Sequence, residues 1–335
     1  MEGKRPIKYF TMKILVVVVM AATVTLASPR GAGKLWGYQR NTNGPLTWPA
    51  AFPKCGGSRQ SPVALVSDEA VPGPPVEHFT FHNYNLVPLS IKVTNTGHSV
   101  KVTPMSDASL TGGNLTDRYI FTQFHFHWGA TNNQGSEHTV DGVTFPGELH
   151  LVHYRERHGS LGEALRHSRG VAVLGVPLEL SLQDNLNLQP IIDGLAQISK
   201  PQKTAMISPV ILRDMLPDNV DDFFRYEGSL TTPPCSEVVV WTVFKDAISI
   251  SNTQLQEFRQ LVASDGTPLQ DNFRTLQPLN GRRVCGVVLR LDASHVTSLA
   301  RRQVTVVTQP TGDQRKATRD HSGREFTELE CYVYH

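Results

Sequence analysis

The run Phe124-His125-Phe126-His127-Trp128-Gly129 constrains this chain more than any other stretch. Aromatic and imidazole side chains alternate, and an extended strand sorts such a pattern into two uniform faces. Gln123, His125 and His127 then share one side, while Phe124, Phe126 and Trp128 share the other. The aromatic side is a core, and its bulk holds the backbone still behind the two histidines.

A second alternating run, Glu148-Leu149-His150-Leu151-Val152, puts Glu148, His150 and Val152 on one face. Paired beside the first strand, it brings three neutral imidazoles to one point. Three histidines without a fourth protein ligand are the donor set of a catalytic Zn2+ site rather than a structural one, because the open position admits water. The plain alternative for an isolated H-x-H pair is two hydrogen-bonded, partly buried histidines; His150 tips the balance toward metal.

Composition sets the frame for these strands. The 335 residues are 39% apolar and 19% charged, enough to bury one large core or two smaller ones. A net charge of +2 provides no field for nucleic acid. The 22 prolines and 26 glycines fall between short Val/Ile/Phe/Thr-rich runs, which argues against a helical bundle and predicts a mostly β single domain with short peripheral helices. No internal repeat, heptad or phosphate-binding glycine loop is present, so nothing suggests a nucleotide enzyme.

The beginning of the chain has the three-part layout of a secretory signal peptide over residues 1–27. Lys4, Arg5, Lys8 and Lys13 precede the apolar run Ile14 to Leu26, and the small residues Ala27 and Ser28 follow. That run is short for a membrane anchor, and no later stretch is apolar enough to span a bilayer or to act as a GPI signal. Secretion is the expectation. The cysteines Cys55, Cys235, Cys285 and Cys331 then read as disulfide formers whose pairing the sequence leaves open. Asn114-Leu115-Thr116 is a glycosylation sequon usable in such a compartment.

In chain order, Trp36 to Gln60 reads as an irregular arm laid over a core, and Phe79 to Ile91, Ser99 to Pro104 and Tyr119 to Trp128 read as strands. Asn132 to Gly147 is loop or hairpin and contains Glu137 and His138. Val171 to Pro177 is a strand buried on both faces, and Leu161 to His167, Leu188 to Ile198 and Asn252 to Val262 carry helical spacing. In Gly228-Ser229-Leu230-Thr231-Thr232-Pro233-Pro234-Cys235, two prolines that cannot donate ladder bonds hold the threonines in a defined loop, which opens into Val238 to Phe244. Residues 293–335 lack periodicity and are expected to form a polar, mobile tail.

Four blocks in order, Gln123-Phe124-His125-Phe126-His127-Trp128-Gly129, Ser136-Glu137-His138-Thr139-Val140-Asp141-Gly142, Glu148-Leu149-His150-Leu151-Val152-His153 and Gly228 to Pro234, resemble the α-class carbonic anhydrases, and the resemblance extends over roughly Trp36 to Leu291. It implies a central, twisted, mainly antiparallel sheet and a catalytic domain over residues 28–292. It further implies reversible hydration of CO2 to bicarbonate and a proton, by hydroxide formed at Zn2+ on His125, His127 and His150; this family is the standard case of such a site. By matching position, Gln123 and Glu148 orient His125 and His150, and the backbone carbonyl of Asn272 orients His127. Thr231 corresponds to the hydroxyl that donates to a carboxylate, here Glu137, and accepts from the nucleophile. Val152, Val171, Val173, Leu230, Val239 and Trp241 match the apolar wall for CO2, with Thr232 on its polar side toward bicarbonate, sulfonamides and inhibitor anions. His98 falls at the proton-shuttle position, and Tyr38 at one that orders the water chain. Cys55 and Cys235 match the disulfide pair of exported members, Ser61-Pro62 and Pro233-Pro234 match cis positions, and His138 and His153 match structural histidines.

Two rival readings differ in kind. A cupin-type metalloenzyme also begins with H-x-H, but it needs a glutamate about four residues beyond the pair, where this chain has Thr131. A catalytically silent, secreted relative that serves as a binding or matrix module loses ligand histidines, whereas all three stand here with Thr231, Glu137 and His98.

Overall fold

The computed structural model describes residues 36–39, 42–72 and 77–288. The expected signal peptide, the expected tail and Cys331 lie outside them. Among the described residues the strands are β1 (Ala64–Leu65), β2 (Val71–Pro72), β3 (Thr80–His82), β4 (Ile91–Asn95), β5 (Val100–Pro104), β6 (Ser109–Gly112), β7 (Leu115–Trp128), β8 (Thr139–Val140), β9 (Gly147–Arg155), β10 (Val171–Ser181), β11 (Thr204–Ile207), β12 (Asp222–Gly228), β13 (Val239–Phe244), β14 (Ile248–Ser251) and β15 (Cys285–Val288). The α-helices are short: α1 (Trp48–Ala51), α2 (Leu161–Ala164), α3 (Gln189–Leu195) and α4 (Asn252–Arg259).

Thirteen strands form one sheet, with the path β11-β4-β5-β7-β9-β10-β13-β12-β15-β2 and with β3, β6 and β14 paired off it. Most pairs are antiparallel; β10 runs parallel to β13 and β14, and β15 runs parallel to β2. The sheet is therefore the mainly antiparallel one expected. Its central strand β10 supplies Ala172, Leu174 and Val176 to the larger core cluster and Val171 and Val173 to a second cluster, so it is buried on both faces.

One irregularity in β7 places the histidines. Tyr119 and Phe121 face the larger core cluster, and so do Phe124 and Phe126, although the two pairs differ in parity. A register shift between Phe121 and Gln123 absorbs the extra residue and flips the alternation, so that His125 and His127 emerge on the opposite face. Helix α4 then covers the aromatic side, with Phe258 centred 5.0 Å from both Phe126 and Trp128. Ser251 fixes the start of that helix through a capping box with Gln254.

Several boundaries depart from the sequence reading. The run Phe79 to Ile91 is not one strand: β3 ends at His82, Asn83 turns with φ 60°, and β4 begins at Ile91. Asn tolerates that left-handed backbone, and Pro88 cannot donate to a ladder. The helices expected over 161–167 and 252–262 end early, at Ala164 and Arg259, and the expected arm contains α1 and a 3-10 turn at Pro53–Gly56. Ser61-Pro62 and Pro233-Pro234 are cis, as expected.

Candidate active site

Strand register brings the site together. His125 on β7 stands directly opposite His150 on β9, and His127 stands opposite Glu148. The ring centroids lie 5.1 Å apart for His125 and His127, 5.3 Å for His125 and His150, and 4.6 Å for His127 and His150. One ring nitrogen from each lies within 4.8 Å of the others.

Each ring is oriented by an acceptor at its other nitrogen. His125 Nδ1 donates to Gln123 Oε1 at 3.1 Å, His127 Nδ1 to the Asn272 carbonyl at 2.7 Å, and His150 Nε2 to Glu148 Oε1 at 2.7 Å. Carbonyl and carboxylate oxygens only accept, so these partners assign the proton and leave His125 Nε2, His127 Nε2 and His150 Nδ1 as lone pairs. Burial lowers the pKa of all three: well below the ordinary value for His125, where His127, His150 and Lys101 add to it, and to about 4 for His127. Neutral imidazoles are the form that binds metal.

The fit to a cation rests on two buried atoms. His127 Nε2 and Glu137 Oε2 have no hydrogen-bond partner and lie 3.5 Å apart, and the same oxygen is 3.8 Å from His150 Nδ1. Buried polar atoms are almost always satisfied, and a Zn2+ held by the three nitrogens answers to this arrangement of converging lone pairs beside a carboxylate.

Around the rings runs a dense polar frame. Glu148 Oε2 accepts from the backbone N–H groups of Glu137 at 2.9 Å and His138 at 2.8 Å, while Oε1 accepts from His138 Nδ1 at 2.7 Å as well as from His150. Burial alone would raise the Glu148 pKa, but His138 and His150 outweigh it and hold the carboxyl well below its usual range. Glu137 is the counter-case. Burial pushes it up to about 7, while His150 and the neighbouring Thr231 hydroxyl favour the ionised form. Asn272 ties three parts together: its Oδ1 accepts from Trp128 N at 2.7 Å, and its Nδ2 donates to the His98 carbonyl at 3.0 Å and the Phe126 carbonyl at 3.3 Å.

The remaining expected residues fall into two groups. Val152, Val171, Val173, Val239 and Trp241 belong to one buried cluster, Leu230 packs against it, and the Trp241 ring lies 4.8 Å from that of His150. Thr232 is half-buried in the loop. On the arm side, His98 sits at the turn between β4 and β5 with its ring stacked on Trp36 at 3.8 Å and 11°. Burial lowers its pKa, and Asp265 opposes that. The Tyr38 hydroxyl is buried without a partner, and its pKa is raised by burial and by Glu137. Asn114 is at the turn between β6 and β7 with φ 60°. His138 and His153 are buried and held by protein partners, Tyr226 and Glu148 for the first, Tyr84 and Ala172 for the second.

The loop that presents Thr231 is tied from several directions. Ser61 and Ser229 exchange N–H to Oγ bonds at 3.0 Å each, and Trp241 Nε1 donates to the Ser229 carbonyl at 3.0 Å. Cys55 and Cys235 are bonded, with a sequence separation of 180. Cys285 is also in a disulfide.

Three contributors escape sequence reasoning. Arg274 is buried; its N–H donates to Glu137 Oε1 at 2.8 Å, and its guanidinium donates to Gln60 Oε1, the Ser61 carbonyl and the Cys55 carbonyl. Gly175 stands opposite His150, and a Cβ there would come within 3.1 Å of Glu148 Oε1. Lys101 stands opposite His125 on β5. A glycine inside the apolar run of β10 was the one available signal, since such a residue marks a close approach; an arginine or a lysine in sequence says nothing of what it faces.

Comparison with known proteins agrees with this geometry. The eukaryotic-type carbonic anhydrase family matches residues 43–287. A mouse (Mus musculus) protein named carbonic anhydrase 1 is 39% identical over 266 residues, which covers 74% of this chain and 97% of the mouse protein.

Proposed function

The chain belongs to the eukaryotic-type carbonic anhydrase family, and from that premise we propose how its own residues divide the work and where it operates. It is a zinc enzyme that interconverts CO2 with bicarbonate and a proton. When bound, Zn2+ makes its water acidic enough to supply hydroxide near neutral pH, an activation for which carbonic anhydrase is the standard example. His125, His127 and His150 hold the metal. Gln123, Glu148 and the Asn272 carbonyl fix the rings, so no reorganisation is needed when it binds.

Orientation of the nucleophile falls to Thr231. A hydroxyl has one proton, and committing it to Glu137 leaves Thr231 only able to accept from the attacking oxygen, which selects one lone pair to face the substrate. The N–H of Arg274 keeps Glu137 aimed at that task. CO2 is uncharged and lacks donors, so the wall of Val152, Val171, Val173, Leu230, Val239 and Trp241 receives it by exclusion of water, and Thr232 meets bicarbonate, sulfonamides or inhibitor anions on the polar side. His98 passes the released proton outward to buffer, with Tyr38 ordering the intervening water.

The protein works outside the cell. The charged-apolar-small pattern of residues 1–27 and the Cys55–Cys235 bond support export, the catalytic domain spans residues 28–292, and the polar stretch 293–335 follows it. Asn114, half-buried at the hairpin end between β6 and β7, carries N-linked glycan in that compartment. Among the described residues no helix is long and apolar enough to cross a membrane.

One observation carries the mechanism: each of three imidazoles, two buried and that of His125 half-buried, has its far nitrogen committed to a protein acceptor, which leaves three lone pairs facing one point. The test is metal analysis with stopped-flow CO2 hydration, run with and without a sulfonamide. Stoichiometric zinc, sulfonamide-sensitive hydration and loss of zinc in His150→Ala are expected. Folded, zinc-loaded protein that fails to hydrate CO2 above buffer would refute the assignment.

A further inference from the structure

Away from the histidines, two arginines share the opposite face of the sheet. Tyr226 on β12 stacks on Trp241, which faces the metal site, so its neighbour Arg225 projects to the other side. There Arg225 donates through Nε and Nη2 to Thr242 Oγ1 at 3.2 Å and 2.8 Å, and it lies over the rings of Phe79 at 5.9 Å and Phe223 at 5.3 Å. Among the described residues it has no carboxylate partner. Arg169 precedes β10 and is close enough for its charge to disfavour that of Arg225; burial and this neighbour together lower the Arg225 pKa to about 10, which leaves it cationic at neutral pH.

Arg169 is the less satisfied of the two. Its side chain is only 13% exposed, and its Nη1 lies 3.5 Å from Glu227 Oε1, but its Nε and Nη2 are buried without a partner. Glu227 cannot serve them as well, since its other oxygen lies 3.5 Å from Arg59 Nη1. Asp117 is engaged by Arg155 and Arg157. The Nε–Nη2 edge is the planar two-donor fork that accepts two oxygens of one anion side-on. A buried fork without a protein acceptor, next to a second cation held between aromatic rings, calls for an oxygen-bearing partner from outside the chain. A neutral acceptor such as water satisfies one donor but leaves the charge.

The geometry points to an oxyanion site at Arg169, in which the Nε–Nη2 edge grips two oxygens of a small anion such as phosphate or bicarbonate and Arg225 adds a second positive charge beside it. The site is separate from the metal centre and independent of the roles given to His98, Thr231 and Glu137. Glu227 competes with the ligand for Arg169, so occupancy is sensitive to that carboxylate.

Arginine-selective 15N labelling of the zinc enzyme tests this, because the Nε–H resonances report locally and do not respond to anions on the metal. Titration with inorganic phosphate, and separately with bicarbonate, should move the Arg169 and Arg225 resonances with a saturable midpoint, while chloride at matched ionic strength should not. In R169K, which keeps the charge but loses the fork, the midpoint read at Arg225 should weaken by about tenfold or more; in E227Q it should tighten. Resonances indifferent to both oxyanions, or moved equally by chloride, overturn the proposal, as does an R169K protein that binds as well as the parent or an E227Q protein that does not bind more tightly. Should R169K fail to fold, the parent titration with its chloride control and E227Q still decide.

Discussion

Glu148 is the residue on which most of the site leans. Its two oxygens accept from two backbone N–H groups and two imidazoles, and only an ionised carboxylate can accept all four. In Glu148→Gln the new NH2 group faces donors on one side, which leaves buried N–H groups unpaired and frees the His150 ring to turn. The expected cost to the zinc-free protein is on the order of 3–5 kcal/mol, read from urea unfolding, and zinc affinity should fall about 10–100-fold in chelator competition. Unchanged zinc affinity in a folded variant would mean that His150 is held by packing alone. At this scale the sequence was informative where period-two parity decided the outcome. Gln123, Glu148 and the histidines could be placed on one face from spacing, whereas Arg274 reaches Glu137 across 137 positions and left no local trace.

At the level of elements, the site is a product of register and of one long-range covalent bond. The bulge in β7 turns His125 and His127 out of the core, and pairing with β9 supplies His150 opposite. The loop after β12 is then tied to the N-terminal arm by Cys55–Cys235, which closes a segment of 180 residues. Releasing a loop of that length in Cys235→Ser should destabilise the protein by roughly 3–5 kcal/mol in a denaturant melt. Because the ligands belong to β7 and β9 and not to that loop, the variant should keep its zinc while turnover falls through poorer presentation of Thr231. Zinc loss in parallel with turnover would contradict this separation of loop and ligands.

Taken whole, the molecule should not need its metal in order to fold. The ligands sit on central strands held by backbone pairing along their length and by an aromatic core, Phe124, Phe126 and Phe258 among it, on the face away from the metal-binding nitrogens. Removal of zinc by a chelator should leave the far-UV circular dichroism almost unchanged and lower Tm, and free zinc at 100 times its Kd should restore about 2.7 kcal/mol. Unfolding on chelation would show that the pairing of β7 with β9 depends on the metal. What the sequence alone determined was the chemistry and the class of fold. Alternation in two runs fixed which side chains share a face, because strand geometry has a period of two whatever surrounds it, and the ordered motifs carried the family. What only the tertiary structure decided were the things that depend on which strand lies beside which: the opposition of His125 and His150, the wall drawn from β9, β10 and β13, the frame around Arg274, and the two arginines on the far face. Such contacts are set by packing between segments distant in the chain, and no local pattern of residues encodes the partner that a side chain will meet.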